Sequence, residues 1–172
     1  MRILHDIPRL LLLVAAIAGC DTQHASDSSP ASDVEFIDAM VPHHRMAVHM
    51  ADMELARGES ADIKEMAQAM KDAQTAEIAK MESIRTQLAG SGEVPDHQDA
   101  HAEADMKKMM EATGAALDRL FLEEMLPHHA GAITMAHEAL PYLEQSELRA
   151  MASQIIGDQA KEIGQIGEML GQ

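Results

Sequence analysis

Apolar residues recur with the three- to four-residue period of an amphipathic helix along most of the chain. The first such segment begins at Phe36 and stops at Gly58, and residues 32–35 have the spacing of a capping box just before it. Ser60 has the position of an N-cap for a second helix from about residue 61 to Leu88. These signals predict a first helical hairpin.

The second half of the chain repeats this layout. A Gly- and Pro-containing break after residue 89 precedes a short Met-rich helix near 104–111. A long helix is predicted from about Ala115 to Leu140, and Ser146 is predicted to cap a last helix that ends near Leu170. No stretch has the alternation typical of a strand. Two hairpins of long helices predict an all-α, up-down four-helix bundle.

The two hairpins also share their sequence. Residues 36–83 and 121–168 align without a gap, 85 positions apart, with fifteen identities in 48 positions. The polar residues kept in both copies are a His pair and a Gln-x-x-Glu pair: His43-His44 and His128-His129, then Gln74 with Glu77 and Gln159 with Glu162. An internal duplication of this kind indicates one bundle built from two equivalent units.

Helical geometry places the repeated polar residues on the apolar faces. Phe36, Met40, His43 and Ala47 fall in one arc of the first helix, so His43 is predicted to point inward and His44 to lie at the edge. Buried polar groups must be paired or bound to metal. Two explanations remain open: a hydrogen-bonded His–Glu/Gln network that fixes helix register, or a metal site with imidazole ligands.

Two prolines precede the His pairs. Pro42 and Pro127 each remove a backbone N–H and clash with the carbonyl four residues earlier, at Asp38 and Glu123. Either they kink the helices and open space beside the imidazoles, or they mark the first turns of helices that begin there.

Further Met and His residues suggest soft-metal sites outside the predicted core. Met46, His49 and Met53 share one helical face, and the linker carries a second group: His97, His101, Met106, Met109 and Met110. Thioether and imidazole together suit copper, particularly Cu(I) through sulfur.

The first residues have the features of a bacterial lipoprotein signal. Arg2 and Arg9 are followed by an apolar run too short for a permanent membrane span, and small residues precede Cys20, the chain's one cysteine. We therefore predict a signal peptide at 1–19, a lipid on Cys20, and a flexible tether at 20–31. The bundle is predicted at 32–172, with a linker at 89–114 between the repeats.

Charge narrows the set of partners. The formal net charge is −16, which argues against nucleic acid and against a basic membrane-binding patch, and is compatible with cation binding. The predicted contact with the membrane is the lipid on Cys20 alone. No nucleophile–base pair or phosphate-binding loop is present in the sequence, so an enzyme is not the preferred interpretation.

The duplicated segment resembles a bacterial family known as domain of unknown function 305. Its repeated F-x-x-x-M-x-x-H-H-x-x-A-x-x-M-A pattern corresponds here to 36–51 and 121–136, and the resemblance covers nearly all of 34–170. It implies a ferritin-like helical fold, secretion or lipid anchoring, and, for some members, copper binding and copper tolerance. Ferritin-like oxidases use Glu and Glu-x-x-His ligands, and this chain departs from that pattern.

Together these observations favour a lipid-anchored envelope protein, facing the periplasm or exterior, that sequesters or delivers copper; the same donors suit other transition metals. The predicted metal ligands are the four histidines, four methionines and two glutamates kept in both repeats: His43, His44, His128, His129, Met40, Met50, Met125, Met135, Glu77 and Glu162. Two alternatives stay open: a ferritin-like redox enzyme with a dinuclear metal centre, and an envelope interaction or stress module whose His pairs are structural.

Overall fold

The protein is an all-helical bundle in the parts of the chain that the computed structural model describes, residues 30–95 and 100–171. Four long helices and one short helix follow one another: α1 Pro30–Arg57, α2 Ala61–Ala89, α3 Ala100–Glu111, α4 Ala115–Ala139 and α5 Ser146–Leu170. The predicted all-α fold with two helical hairpins is confirmed. The predicted signal peptide, Cys20 and the tether through residue 29 lie outside the described residues.

Several helix ends follow from local chemistry, as the sequence predicts. The Ser60 hydroxyl accepts a hydrogen bond from the Ile63 backbone N–H at 3.4 Å, which caps α2. Gly90, with φ of 75°, ends that helix in the left-handed region, and Gly114, with φ of 60°, precedes α4. Glycine suits both positions because an added Cβ would be strained there.

Two predicted caps are wrong. Ser32 lies inside α1, which begins at Pro30, and its hydroxyl donates to the Tyr142 carbonyl at 2.8 Å. Ser146 is the first residue of α5, and the cap position belongs to Gln145, whose side chain makes no capping bond.

The loops before α2 and α5 are instead held by aspartates from the other repeat. The Asp33 carboxylate accepts from the backbone N–H groups of 144–145 at 2.9 and 3.0 Å. The Asp118 carboxylate accepts from those of 59–60 at 2.7 and 2.9 Å. Asp33 and Asp118 are separated by the same 85 positions as the repeats, so the two hairpins cap each other reciprocally.

Helices α1 and α4 form the centre of the bundle. α2 packs on α1, α5 packs on α4, and α3 lies against the α1–α4 pair. The first half of α1 meets the second half of α4, which makes the central pair antiparallel. α2 and α5 approach each other at few positions, so a groove separates them on one side of the bundle.

The apolar core is divided in two. One cluster contains the start of α1 and the end of α4, and the other contains the end of α1 and the start of α4. Phe36 belongs to the first cluster and Phe121, its repeat equivalent, to the second. The paired histidines lie between them along both central helices. Within the described ranges, no helix combines the length and apolar character needed to cross a membrane.

Candidate metal centre

The first histidines of the two pairs meet at the middle of the bundle. The rings of His43 and His128 stack with centroids 3.7 Å apart and an interplanar angle of 18°. His43 Nε2 lies 3.0 Å from the His128 carbonyl oxygen, and His128 Nε2 lies 3.1 Å from the His43 carbonyl oxygen. The predicted approach of the two HH segments inside one bundle is therefore present, and it takes the form of a reciprocal cross-link between α1 and α4.

The second histidines contact the outer helices. His44 Nε2 lies 2.8 Å from Glu77 Oε2, and His129 Nε2 lies 2.7 Å from Glu162 Oε2. Both imidazoles are fully buried, whereas the side chains of Glu77 and Glu162 are 17% and 22% exposed. Each carboxylate thus reaches from the groove side of the bundle to an imidazole in its interior.

Burial of the two pairs differs from the prediction. Helical periodicity predicts His43 to point inward and His44 to lie at the edge, but His44 is fully buried and His43 only partly so. The inward direction of His43 is confirmed by its stacking on His128 of α4. The edge position of His44 is wrong, because α1 packs against two helices at once and its buried surface is wider than one arc. His43 faces α4 and His44 faces α2.

These contacts decide which ring nitrogen carries the proton. A carbonyl or carboxylate oxygen only accepts, so Nε2 is the donor in all four rings and Nδ1 bears the lone pair in the neutral imidazole. The Nδ1 atoms of His44, His128 and His129 are buried and make no hydrogen bond to any described residue. Buried, unpaired imidazole lone pairs are the feature a transition-metal ligand requires.

Electrostatics keeps the stacked pair neutral. Burial lowers the pKa of His43 from 6.5 to about 4, partly opposed by its bond to the His128 carbonyl. Burial also lowers the pKa of His128 well below its usual value, and the neighbouring His43 acts in the same direction. At neutral pH both rings are therefore available as neutral donors.

The donors are distributed and do not form a closed cage. Centroids of adjacent imidazoles are 6.4 Å apart for His43 and His44 and 6.3 Å apart for His128 and His129. Within the described residues, no three His, Cys, Asp or Glu side chains are grouped closely enough to hold one ion. A metal at this layer would therefore use few protein nitrogens and complete its coordination with other donors.

The predicted methionine ligands lie in the apolar clusters beside the histidine layer. Met40 and Met125 are fully inaccessible and belong to opposite clusters. Met50 is 4% exposed, and Met135 packs, partly buried, against the cluster that contains Met40. Burial explains these side chains as packing, and their role as thioether donors stays a prediction.

The second group of predicted soft ligands is divided by the fold. His49 is exposed, but Met53 is only 7% exposed and packs in the core, so these two do not share an outer face. In the linker, Met109 is fully buried and Met110 is 60% exposed. The predicted ligands His97 and His101 fall outside the described side chains.

Both prolines lie well inside their helices, Pro42 in α1 and Pro127 in α4. The interpretation that they mark first turns is wrong. Because proline has no N–H, neither can supply the usual helical hydrogen bond to the carbonyl four residues earlier, one turn before each His pair.

The glutamines kept in both repeats, Gln74 and Gln159, are also buried inside the bundle. Gln74 and Gln159 are each 3% exposed, as their inward direction predicts, and neither amide oxygen nor amide nitrogen has a hydrogen-bond partner among the described residues.

The interrepeat caps at Asp33 and Asp118 were missed, since both aspartates precede the aligned segments. Their 85-residue spacing was the signal that could have revealed them.

Comparison with known proteins agrees with this architecture. The family model described as Domain of unknown function (DUF305) matches residues 33–170. A structure described as CopM in the Cu(II)-bound form shares 31% identity and a TM-score of 0.72, over 81% of this chain and 95% of that one. CopM in an Ag-bound form, obtained by co-crystallisation, shares 31% identity and a TM-score of 0.69, over 80% of this chain and 93% of that one.

A third structure extends the fold comparison. The putative secreted DUF305 protein from Streptomyces coelicolor is 20% identical, with a TM-score of 0.73, over 85% of this chain and 94% of that one. At that identity the similarity shows the fold alone. No curated protein matches the chain.

Proposed function

The chain belongs to the DUF305 family, and from that premise we propose that it binds copper in the bacterial cell envelope, holding the ion or handing it on. One observation carries the proposal. Two fully buried imidazoles, His44 and His129, are each bonded through Nε2 to a glutamate, which leaves a buried Nδ1 with no hydrogen-bond partner among the described residues.

This arrangement is the one that metal-binding histidines use. A ligating imidazole commonly donates its other N–H to a carboxylate, which fixes the ring and raises the basicity of the free nitrogen. Glu77 and Glu162 would act in this way, as positioning residues. Imidazole suits Cu(II) and other late transition metals, and thioether sulfur favours Cu(I). We therefore keep Met40, Met50, Met125 and Met135 as the proposed soft donors that complete the coordination.

The structural relatives support the choice of copper. CopM structures are described as Cu(II)-bound, Cu(I)-bound and Ag-bound. Silver(I) is a soft monovalent cation like Cu(I), so both suit a site that contains thioether donors. The similarity to CopM covers most of both chains, which makes transfer of the ligand class to this chain reasonable.

The proposed location follows from the sequence. Removal of residues 1–19 and lipidation of Cys20 would tether the bundle to a membrane through a short polar segment. A copper-holding protein at that position would act outside the cytoplasm, on the periplasmic or exterior side.

A structural role fits His43 and His128 better than it fits His44 and His129. His43 and His128 satisfy each other's backbone carbonyls and join α1 to α4, so they stabilise the central helix pair with or without metal. They remain proposed ligands through Nδ1. In the described part of the chain, no observation favours the dinuclear redox centre, because no group of three suitable donors is present.

The test is a copper titration of the purified mature protein, in both oxidation states, against chelators of known affinity. The double variant His44→Gln/His129→Gln should lose the tightest site, because glutamine still donates to the glutamate but offers no imidazole nitrogen. The matched control is His49→Gln/His137→Gln, which removes two exposed histidines. Equal copper affinity of parent and His44→Gln/His129→Gln would contradict the proposal, as would absence of tight binding in the parent.

A further inference from the structure

The groove between α2 and α5 contains polar groups that the fold itself does not satisfy. A cavity of about 310 Å³ lies there, with Gln74, Glu77, Gln159 and Glu162 among its lining residues. Gln74 and Gln159 are each 3% exposed, and their amide atoms are buried beneath the cavity without a hydrogen bond to a described residue. Unpaired buried amides are costly, so the interior next to this groove is polar where an apolar core would be expected.

A second cavity continues the groove toward the α2 N-terminus. It measures about 360 Å³ and shares Glu162 as a wall, and its other lining residues are Asp62, Glu65, Met66, Ala69, Gln165 and Met169. Three carboxylates and two thioethers therefore border one opening, and no Lys or Arg of the described chain lines it. We call this opening the acidic mouth.

The repeat provides an internal comparison for the acidic mouth. The equivalent positions at the opposite end of the groove carry Lys80 in place of Gln165 and Glu147 in place of Asp62. There the Lys80 ammonium binds Glu147 at 3.1 Å, which offsets one carboxylate charge at that end. The position of Met66 is kept as Met151, but that of Met169 is Ile84. Charge and sulfur are thus both concentrated at one end of an otherwise twofold groove.

We propose that the acidic mouth is a capture site for a soft monovalent cation, Cu(I), separate from the buried histidine layer. The carboxylates of Asp62, Glu65 and Glu162 raise the local cation concentration. The thioethers of Met66 and Met169 then supply the soft ligands. This assignment rests on the proposed copper function for the identity of the cation.

Its position connects the capture site to the buried centre. Glu162 is a lining residue of the acidic mouth, and its carboxylate accepts a hydrogen bond from His129 Nε2 at 2.7 Å. Gln159 lies one helical turn earlier on α5 and is a lining residue of the adjoining cavity. An ion at the acidic mouth would therefore be separated from the buried His129 imidazole by the Glu162 side chain.

The test uses Ag⁺, a redox-stable probe of soft cation sites, and NMR of protein with ¹³C-labelled methionine methyl groups. At substoichiometric Ag⁺, in the His44→Gln/His129→Gln background, the methyl signals of Met66 and Met169 should shift or broaden before that of Met151. Met66→Leu/Met169→Leu should reduce Ag⁺ affinity in that background at least about tenfold, since both thioethers are lost. The matched control Met151→Leu should change it less than about twofold.

A charge variant tests the electrostatic part. Asp62→Asn/Glu65→Gln should weaken Ag⁺ capture about three- to tenfold at low salt, with a smaller effect at high ionic strength. Glu147→Gln, at the opposite end where Lys80 pairs with Glu147, should have little effect. The inference is overturned if the Met66 and Met169 signals stay unchanged, or if Met151 responds equally. Because the assay lacks His44 and His129, on which the proposed function rests, loss of that function alone would leave these shifts in place.

Discussion

Replacing Glu77 and Glu162 together by glutamine separates a metal-positioning role from a purely structural one. Each carboxylate accepts from a buried imidazole Nε2, at 2.8 and 2.7 Å. Glutamine has nearly the same shape, and its amide oxygen can still accept that N–H. The double variant therefore removes two negative charges while the contacts and the tautomer of His44 and His129 are preserved.

The expected magnitude follows from the bond type. A hydrogen bond to a charged group contributes about 1.5–3 kcal/mol and a neutral one about 0.5–1.5 kcal/mol, so the apo variant should lose about 1 kcal/mol per site. Metal draws electron density from the ring, and the carboxylate stabilises that state more than the apo state. Loss of such a partner typically lowers metal affinity about 10- to 100-fold, equivalent to about 1.4–2.7 kcal/mol.

The assay combines competitive copper titration with urea unfolding of the apo protein. The control is Glu82→Gln, which removes one negative charge from α2 by breaking an exposed ion pair with Arg45 at 2.6 Å. That variant should change copper affinity less than about twofold. If Glu77→Gln/Glu162→Gln binds copper as tightly as the parent while the apo protein unfolds more easily, the carboxylates serve only to hold the helices in register.

Four further outcomes are expected. Asp33→Asn and Asp118→Asn should each lower the unfolding free energy by about 1–2 kcal/mol in urea titrations, because asparagine retains only one of two acceptor oxygens at the interrepeat cap; changes below about 0.5 kcal/mol would refute this role. The pKa of His43 is lowered to about 4 in the folded protein, so neutral His43 should stabilise the apo protein fully above pH 6.5. The free energy of unfolding should then fall by up to about 3 kcal/mol as the pH is lowered toward 4. Burial and the nearby Asp118 raise the pKa of Glu54 to about 7, so Glu54→Gln should be more stable than the parent at pH 8 and equal to it near pH 4.5 in urea unfolding. Cys20→Ser should leave the protein unprocessed or release it to the soluble envelope fraction, whereas membrane fractionation like the parent, with no acyl group on Cys20 by mass spectrometry, would disprove the lipid anchor.

Much of the architecture could be predicted from residue order because it depends on local interactions. The duplicated pattern, the Ser60 cap and the Gly58, Gly90 and Gly114 boundaries are properties of short segments, and the structure confirms the helices that they define. The inward direction of Gln74 is likewise set by helical period and is confirmed by its burial. The acidic composition also belongs to the sequence and is compatible with a cation as the ligand.

Contacts between the repeats could not be obtained in this way, because each partner is fixed by the packing of a distant helix. The depth of His44 relative to His43 depends on α1 being covered by α2 and α4 together. The stacked His43–His128 pair joins residues 85 positions apart, and the Asp33 cap reaches a loop more than 100 residues away. A helical period specifies which side of a helix is buried, but only the assembled bundle determines which residue from the other hairpin meets it there.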